Sequence, residues 1–197
     1  MKRLFVLQKY LIAQTMASEH GFLKIVVTGP ESSGKTLLAE ALARVLGVEW
    51  VPEFARSYVA HLGHPYVHGD LRRIGAGQRY WEQWHIQRII ASAGVPLLIC
   101  DTDWTVLHVW EQYRFQTTSA FHWQQGYGPP AHADLYLLCA PDFPWQPDPL
   151  REHPEERGLL FGMYERLLLD RDARYIVLRG TPALRLEIAL AAIRKLL

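Results

Sequence analysis

From residue 23 onward the chain alternates between short unbroken apolar runs and longer stretches in which apolar residues recur at a helical period. LKIVVT (23–28), VPLLICD (95–101), DLYLLC (134–139) and RYIVLRG (174–180) are of the first kind, and VEWVP (48–52) is a shorter run ended by Pro52. Such runs suit strands covered on both faces, as in a parallel sheet. Leu38, Leu42 and Val45 predict a helix over 35–46 that Gly47 stops. Leu71, Ile74, Trp81 and Ile89 predict another from Asp70 to Ala93, capped by Asp70 and closed by Gly94. Gly75 and Gly77 fall inside it, where glycine is unfavourable unless something approaches the backbone. A helix over about 155–169 and a terminal one opened by Thr181 and Pro182, with Leu186, Leu190 and Ile193 inward, complete the pattern. This alternation predicts an α/β domain over 23–197, with a parallel five-stranded sheet and helices on both faces.

Two stretches depart from the regularity. APDFPWQPDPLREHPEERG (140–158) is too long and polar for a turn and predicts a lid over a site, about 141–157. Residues 1–22 begin like a signal peptide, with Lys2 and Arg3 before apolar residues, but Gln8, Lys9 and Gln14 interrupt the run. A peripheral helical extension is the expected form, and Met16 offers an alternative start. No apolar run approaches the roughly 20 residues that span a bilayer, so no membrane partner is expected. Lys plus Arg number 21 against 20 acidic residues, which leaves no overall basic field for nucleic acid and favours a small anionic ligand. Cys100 and Cys139 lie in apolar runs and read as reduced core thiols of a cytoplasmic protein. A homo-oligomer stays open.

The chemistry is concentrated in GPESSGKT (29–36), spaced G-x-x-x-x-G-K-[ST] between a strand and a helix. A loop of this kind wraps phosphates with backbone N–H groups, so Gly29, Pro30, Glu31, Ser32, Ser33, Gly34, Lys35, Thr36 and Leu37 are the expected nucleotide-binding residues. Lys35 is placed to reach the β- and γ-phosphates, and the Thr36 hydroxyl to ligand Mg²⁺. Asp101, ending a strand, supplies the second carboxylate for the metal or accepts a proton; Asp103 either points to the same mouth or caps the following helix. Glu53, after the second strand, is a candidate general base for an attacking hydroxyl, and Arg56 one helical turn later either orients Glu53 or the γ-phosphate, or forms an i,i+3 ion pair with Glu53 on a surface helix. In the lid, Arg151 and Arg157 can stabilise transferred phosphoryl charge, Trp145 offers a stacking face for a flat heterocycle, and Asp142 and Asp148 add carboxylates. Arg179, after the last strand, is expected near the adenine. Trp81, Trp84 and Trp104 read as core before pocket, Gln78 as a partner of backbone or substrate, and His61, His64 and His68 as ordinary loop histidines.

KIVVTGPESSGKTLLAEALA, VPEFARSY, LLICDTD and PDFPWQPDPLR, in this order and at these separations, resemble the ribosylnicotinamide kinase domain of the NadR-like family. The likeness runs from about Lys24 to the end. It implies the P-loop NTPase/kinase fold and ATP-dependent phosphorylation of nicotinamide riboside to nicotinamide mononucleotide, a salvage step toward NAD. It further implies that Trp145 and Tyr58 enclose the nicotinamide and that Asp101 or Asp103 engages the ribose. Family members often carry a nucleotidyltransferase domain, and some a DNA-binding one; those activities are not carried over. KTLL also departs from the commoner doubled hydroxyl after the lysine.

The expectation is therefore a small-molecule kinase using ATP and Mg²⁺, with Lys35, Glu53, Asp101 and Arg151 catalytic, and Glu53, Arg56, Tyr58, Asp101, Asp103, Trp145 and Asp148 around the riboside. The alternatives are a kinase for another nucleoside or nucleotide, and a regulatory ATP-binding module, which the N-terminal segment would favour.

Overall fold

The computed structural model describes residues 21–92, 95–117, 133–146 and 155–197. Five strands, β1 (Leu23–Thr28), β2 (Trp50–Val51), β3 (Leu97–Asp101), β4 (Leu135–Cys139) and β5 (Tyr175–Leu178), form one sheet in the order β2-β3-β1-β4-β5. All four pairings are parallel. The helices among the described residues are α1 (Lys35–Leu46), α2 (Phe54–Ala60), α3 (His68–Ala91), α4 (Trp104–Phe115), α5 (Arg157–Asp170) and α6 (Pro182–Arg194).

Strand periodicity divides the core in two. Ile25, Val27, Leu97, Ile99, Leu137 and Cys139 project to the face covered by α1 and α6, where Leu38, Leu42, Ala189 and Ile193 meet them. Val26, Leu98, Cys100, Tyr136 and Leu138 project to the other, against Val106 and Val109 of α4 and Leu160 and Tyr164 of α5. Both cysteines are buried free thiols. Burial pushes the Cys139 thiol up to about 11, so it stays protonated at neutral pH.

Lys24 is the exception to the apolar strand. Its ammonium, 1% exposed, donates to Glu82 Oε2 of α3 at 2.7 Å. A buried charge persists only when paired, and this pair ties the central strand to a covering helix.

Three sequence expectations need adjustment. The long helix begins at His68, two residues before Asp70. Asp70 therefore does not stand ahead of the helix as its cap; from the first turn its carboxylate accepts the Val67 N–H at 2.9 Å, satisfying the same kind of orphan donor. Gly94, its expected stop, lies outside the described residues. The second strand shrinks to Trp50–Val51 at the sheet edge. Within α3, Gly77 has a packing cause: a Cβ there would collide with the Phe54 ring. No described helix is long and apolar enough to cross a membrane.

Candidate active site

Because every strand is parallel, the C-terminal ends of β1 and β3 and the chain leaving β2 open on one edge of the sheet. Residues 29–34 turn there from β1 into α1. The turn needs left-handed backbone, with φ of 135° at Gly29, 53° at Ser32 and 80° at Gly34. Gly29 is also confined sterically, since a Cβ would lie 2.5 Å from the Cys139 carbonyl oxygen. The result is a concave row of backbone amides at the N-terminus of α1, a ready anion cradle.

This cradle forms one wall of a cavity of about 690 Å³. Gly29 through Leu37 line it together with Glu53 and Arg56, so the structure brings the phosphate loop and the acidic candidate after β2 into one space. Apolar and aromatic residues complete the lining, among them Tyr66, Leu71, Ile74, Leu107, Trp110 and Tyr164. Tyr66, Trp110 and Tyr164 come from three separate segments and carry no motif, so only the tertiary fold places them here.

Lys35 Nζ donates to the Pro30 carbonyl at 2.9 Å, within the loop itself. The Thr36 hydroxyl donates to Asp101 Oδ2 at 2.6 Å. Asp101 is 1% exposed, and its Oδ1 has no hydrogen-bond partner among the described residues. Burial first, then the neighbouring Glu53 carboxylate, raise Asp101 to about 6, against the opposing pull of Lys35, the Thr36 hydroxyl and Arg56. A hydroxyl touching a carboxylate with a spare buried oxygen is a donor set that fits Mg²⁺, which prefers hard oxygen ligands.

Asp103 is drawn away from the cavity wall. Its Oδ1 accepts the Thr105 N–H at 2.9 Å and the Thr105 hydroxyl at 2.6 Å, capping α4, while the Tyr136 hydroxyl donates to Oδ2 at 3.1 Å. Tyr58 likewise turns elsewhere, donating from its hydroxyl to Asp70 Oδ1 at 2.8 Å. Gln78 bonds backbone, accepting the Phe54 N–H at 2.8 Å. Trp81 packs edge-on against Phe54, Trp104 is buried beneath Arg171, and Trp84 is exposed beneath Arg88.

Of the segment expected to form a lid, residues 141–146 and 155–157 are described. Phe143, Pro144 and Gln146 line the cavity, and Gln146 N–H donates to Ser32 Oγ at 3.2 Å. Arg157 opens α5, donates to the Phe143 carbonyl at 2.8 Å and stands 5.7 Å over the Trp145 ring. Arg151 and Asp148 lie outside the described residues. Arg179 is exposed, 3.5 Å from Asp142 and 5.4 Å over Phe161, while Pro182 after it reaches the cavity.

A family model described as an AAA domain matches residues 24–185. A search of curated proteins finds no match. Among solved structures, the chain is similar to a NadR protein in complex with NR, with TM-score 0.70 and 20% identity over 94% of this chain and 53% of that one. A NadR protein in complex with NAD and AMP-PNP gives TM-score 0.65 and 19% identity over 94% and 51%. The chain thus spans about half the length of the NadR chains it matches. Deoxyadenosine kinase from M.mycoides with bound dATP gives TM-score 0.54 and 13% identity over 87% of this chain and 100% of that one. These likenesses establish a P-loop kinase fold.

Proposed function

From the premise that the chain belongs to the AAA domain family matched over residues 24–185, we propose that it is an ATP-dependent kinase for nicotinamide riboside. The observation that carries this reading is one cavity whose lining holds the phosphate cradle, Glu53 and several aromatic side chains together. The apolar and aromatic lining offers a seat for a flat ring beside the phosphate cradle. A flat heterocycle would seat against Tyr66, Trp110 and Tyr164, and the nicotinamide of the riboside, being cationic, is drawn to such faces. Trp145 and Tyr58, the residues the family resemblance nominates, lie off this lining. The kinase domain is taken as residues 23–197, with 1–22 as an extension.

The chain's own groups divide the work. Backbone amides of 29–36 bind the triphosphate, and Lys35 would exchange the Pro30 carbonyl for a phosphate oxygen. Glu53 accepts the proton of the acceptor hydroxyl, while Arg56 offsets negative charge at the same wall. Thr36 and Asp101 would hold Mg²⁺, which when bound neutralises charge on the phosphates. For Arg151 and Asp148 the assignment rests on sequence alone.

The test is a steady-state comparison of nicotinamide riboside with uridine. Strong preference for the nicotinamide riboside is expected. Equal turnover of uridine would move the reading to a nucleoside kinase of another specificity, and riboside-independent ATP hydrolysis would move it to a regulatory module. Glu53→Gln should lower turnover roughly 10²-fold or more if this carboxylate is the base; near wild-type rates would shift that role to Asp101.

A further inference from the structure

Arg185 belongs to no motif, sits in the first turns of α6 and is 2% exposed. Its guanidinium nevertheless reaches four separate points behind the cavity. Nη1 donates to the Ser33 carbonyl at 2.7 Å, Nη2 to the Ala140 carbonyl at 2.9 Å and to Asp142 Oδ2 at 3.2 Å, and Nε to the Gly180 carbonyl at 3.1 Å. Asp142 Oδ2 also accepts the Gly180 N–H at 2.7 Å. One buried cation thereby joins the phosphate loop, the end of β4, the first residues of the lid segment and the turn after β5.

The contact with Ser33 bears directly on the cradle. The chain has no cis peptide among its described bonds, so the Ser33 carbonyl and the Gly34 N–H point in opposite directions from one rigid plane. Fixing that carbonyl toward Arg185 fixes the Gly34 N–H away from it, and Gly34 lines the cavity whereas Arg185 does not. A second link runs through Phe143. Arg185 Cζ stands 4.2 Å from the Phe143 ring centroid, and a Cβ on Gly34 would lie 2.6 Å from the same ring. The one ring therefore stands against both the guanidinium and the space that a side chain at position 34 would need.

We propose that Arg185 is a positioning residue for nucleotide binding, which aims the Gly34 N–H at the phosphates by holding the Ser33 carbonyl and ties the pose of that loop to the lid segment through Asp142 and Phe143. The proposal rests on residues 29–36 being the nucleotide cradle, and not on the identity of the acceptor. The planar fork is essential to it, since several carbonyls must be met at once in fixed directions. Lysine retains the charge but lacks the fork.

The decisive experiment is calorimetric titration of the full chain and of Arg185→Lys and Arg185→Gln with Mg²⁺·AMP-PNP, beside circular dichroism and thermal melts to confirm folding. Riboside affinity and steady-state KM values are measured on the same preparations. Both folded variants are expected to bind the nucleotide at least about tenfold more weakly, with riboside affinity changed less than about twofold. A role confined to stability would lower the melting temperature and leave nucleotide affinity intact, and that result in either folded variant overturns the proposal. If the wild-type chain binds AMP-PNP but does not phosphorylate the riboside, the acceptor assignment fails while the affinity ratio still decides the role of Arg185. If the wild type binds no AMP-PNP, both fall.

Discussion

Asp101 holds the most consequential balance at a single residue. Its position at the end of β3 was legible from LLICDTD, because an acid after an apolar run in an α/β chain emerges at the mouth of the sheet. Its acidity was not, since that depends on burial and on Glu53, a neighbour from a different element. The sign of the consequence follows from linkage. With the folded-state value raised from 3.8 to about 6, the folded chain holds the proton more tightly than the unfolded one. The resulting stabilisation is complete below about pH 4 and is lost as pH rises through about 6, a change of order 2–3 kcal/mol at most. Urea denaturation in metal-free buffer between pH 4 and 7 should show wild type losing ground to Asp101→Asn over that window. Parallel curves would mean the carboxylate is not perturbed as described.

At the scale of elements, the four long strands follow from unbroken apolar runs, whereas α2 is too short to stand out: Phe54, Ala55, Tyr58 and Val59 pack on Leu71, Ile74 and Leu107, but its 7 residues hold barely two turns of periodicity. The joint between β1 and α3 was equally silent. Lys24 sits in a strand whose every residue is buried, and nothing in LKIVVT announces that Glu82, 58 positions later, will meet its ammonium. Because both partners are desolvated, removing one strands the other. Lys24→Met is expected to destabilise the fold by about 3–5 kcal/mol, and Lys24→Met with Glu82→Leu to recover most of that loss. Chemical denaturation of the single and double variants measures this; additive losses would show that the pair is not coupled.

Over the whole molecule, ligand binding should report on the integrity of the shared cavity. A nucleotide that binds only the folded chain adds about 2.7 kcal/mol at a hundredfold excess over Kd, or roughly 5–10 °C in Tm for a domain this size. Differential scanning fluorimetry with AMP-PNP should show such a rise in Mg²⁺ and a smaller one in EDTA; a shift indifferent to EDTA would count against Thr36 and Asp101 as the metal pair. The sequence by itself determined the α/β class, the phosphate cradle and the acids beyond β2 and β3, because glycine stereochemistry and strand burial are local requirements written into contiguous residues. Only the tertiary structure decided the rest. It turned Asp103 into a helix cap and Tyr58 toward Asp70, assembled the aromatic lining from Tyr66, Trp110 and Tyr164, and set Arg185 behind Ser33. Those outcomes depend on which distant segments the sheet order brings together, and residue spacing along the chain carries no record of that.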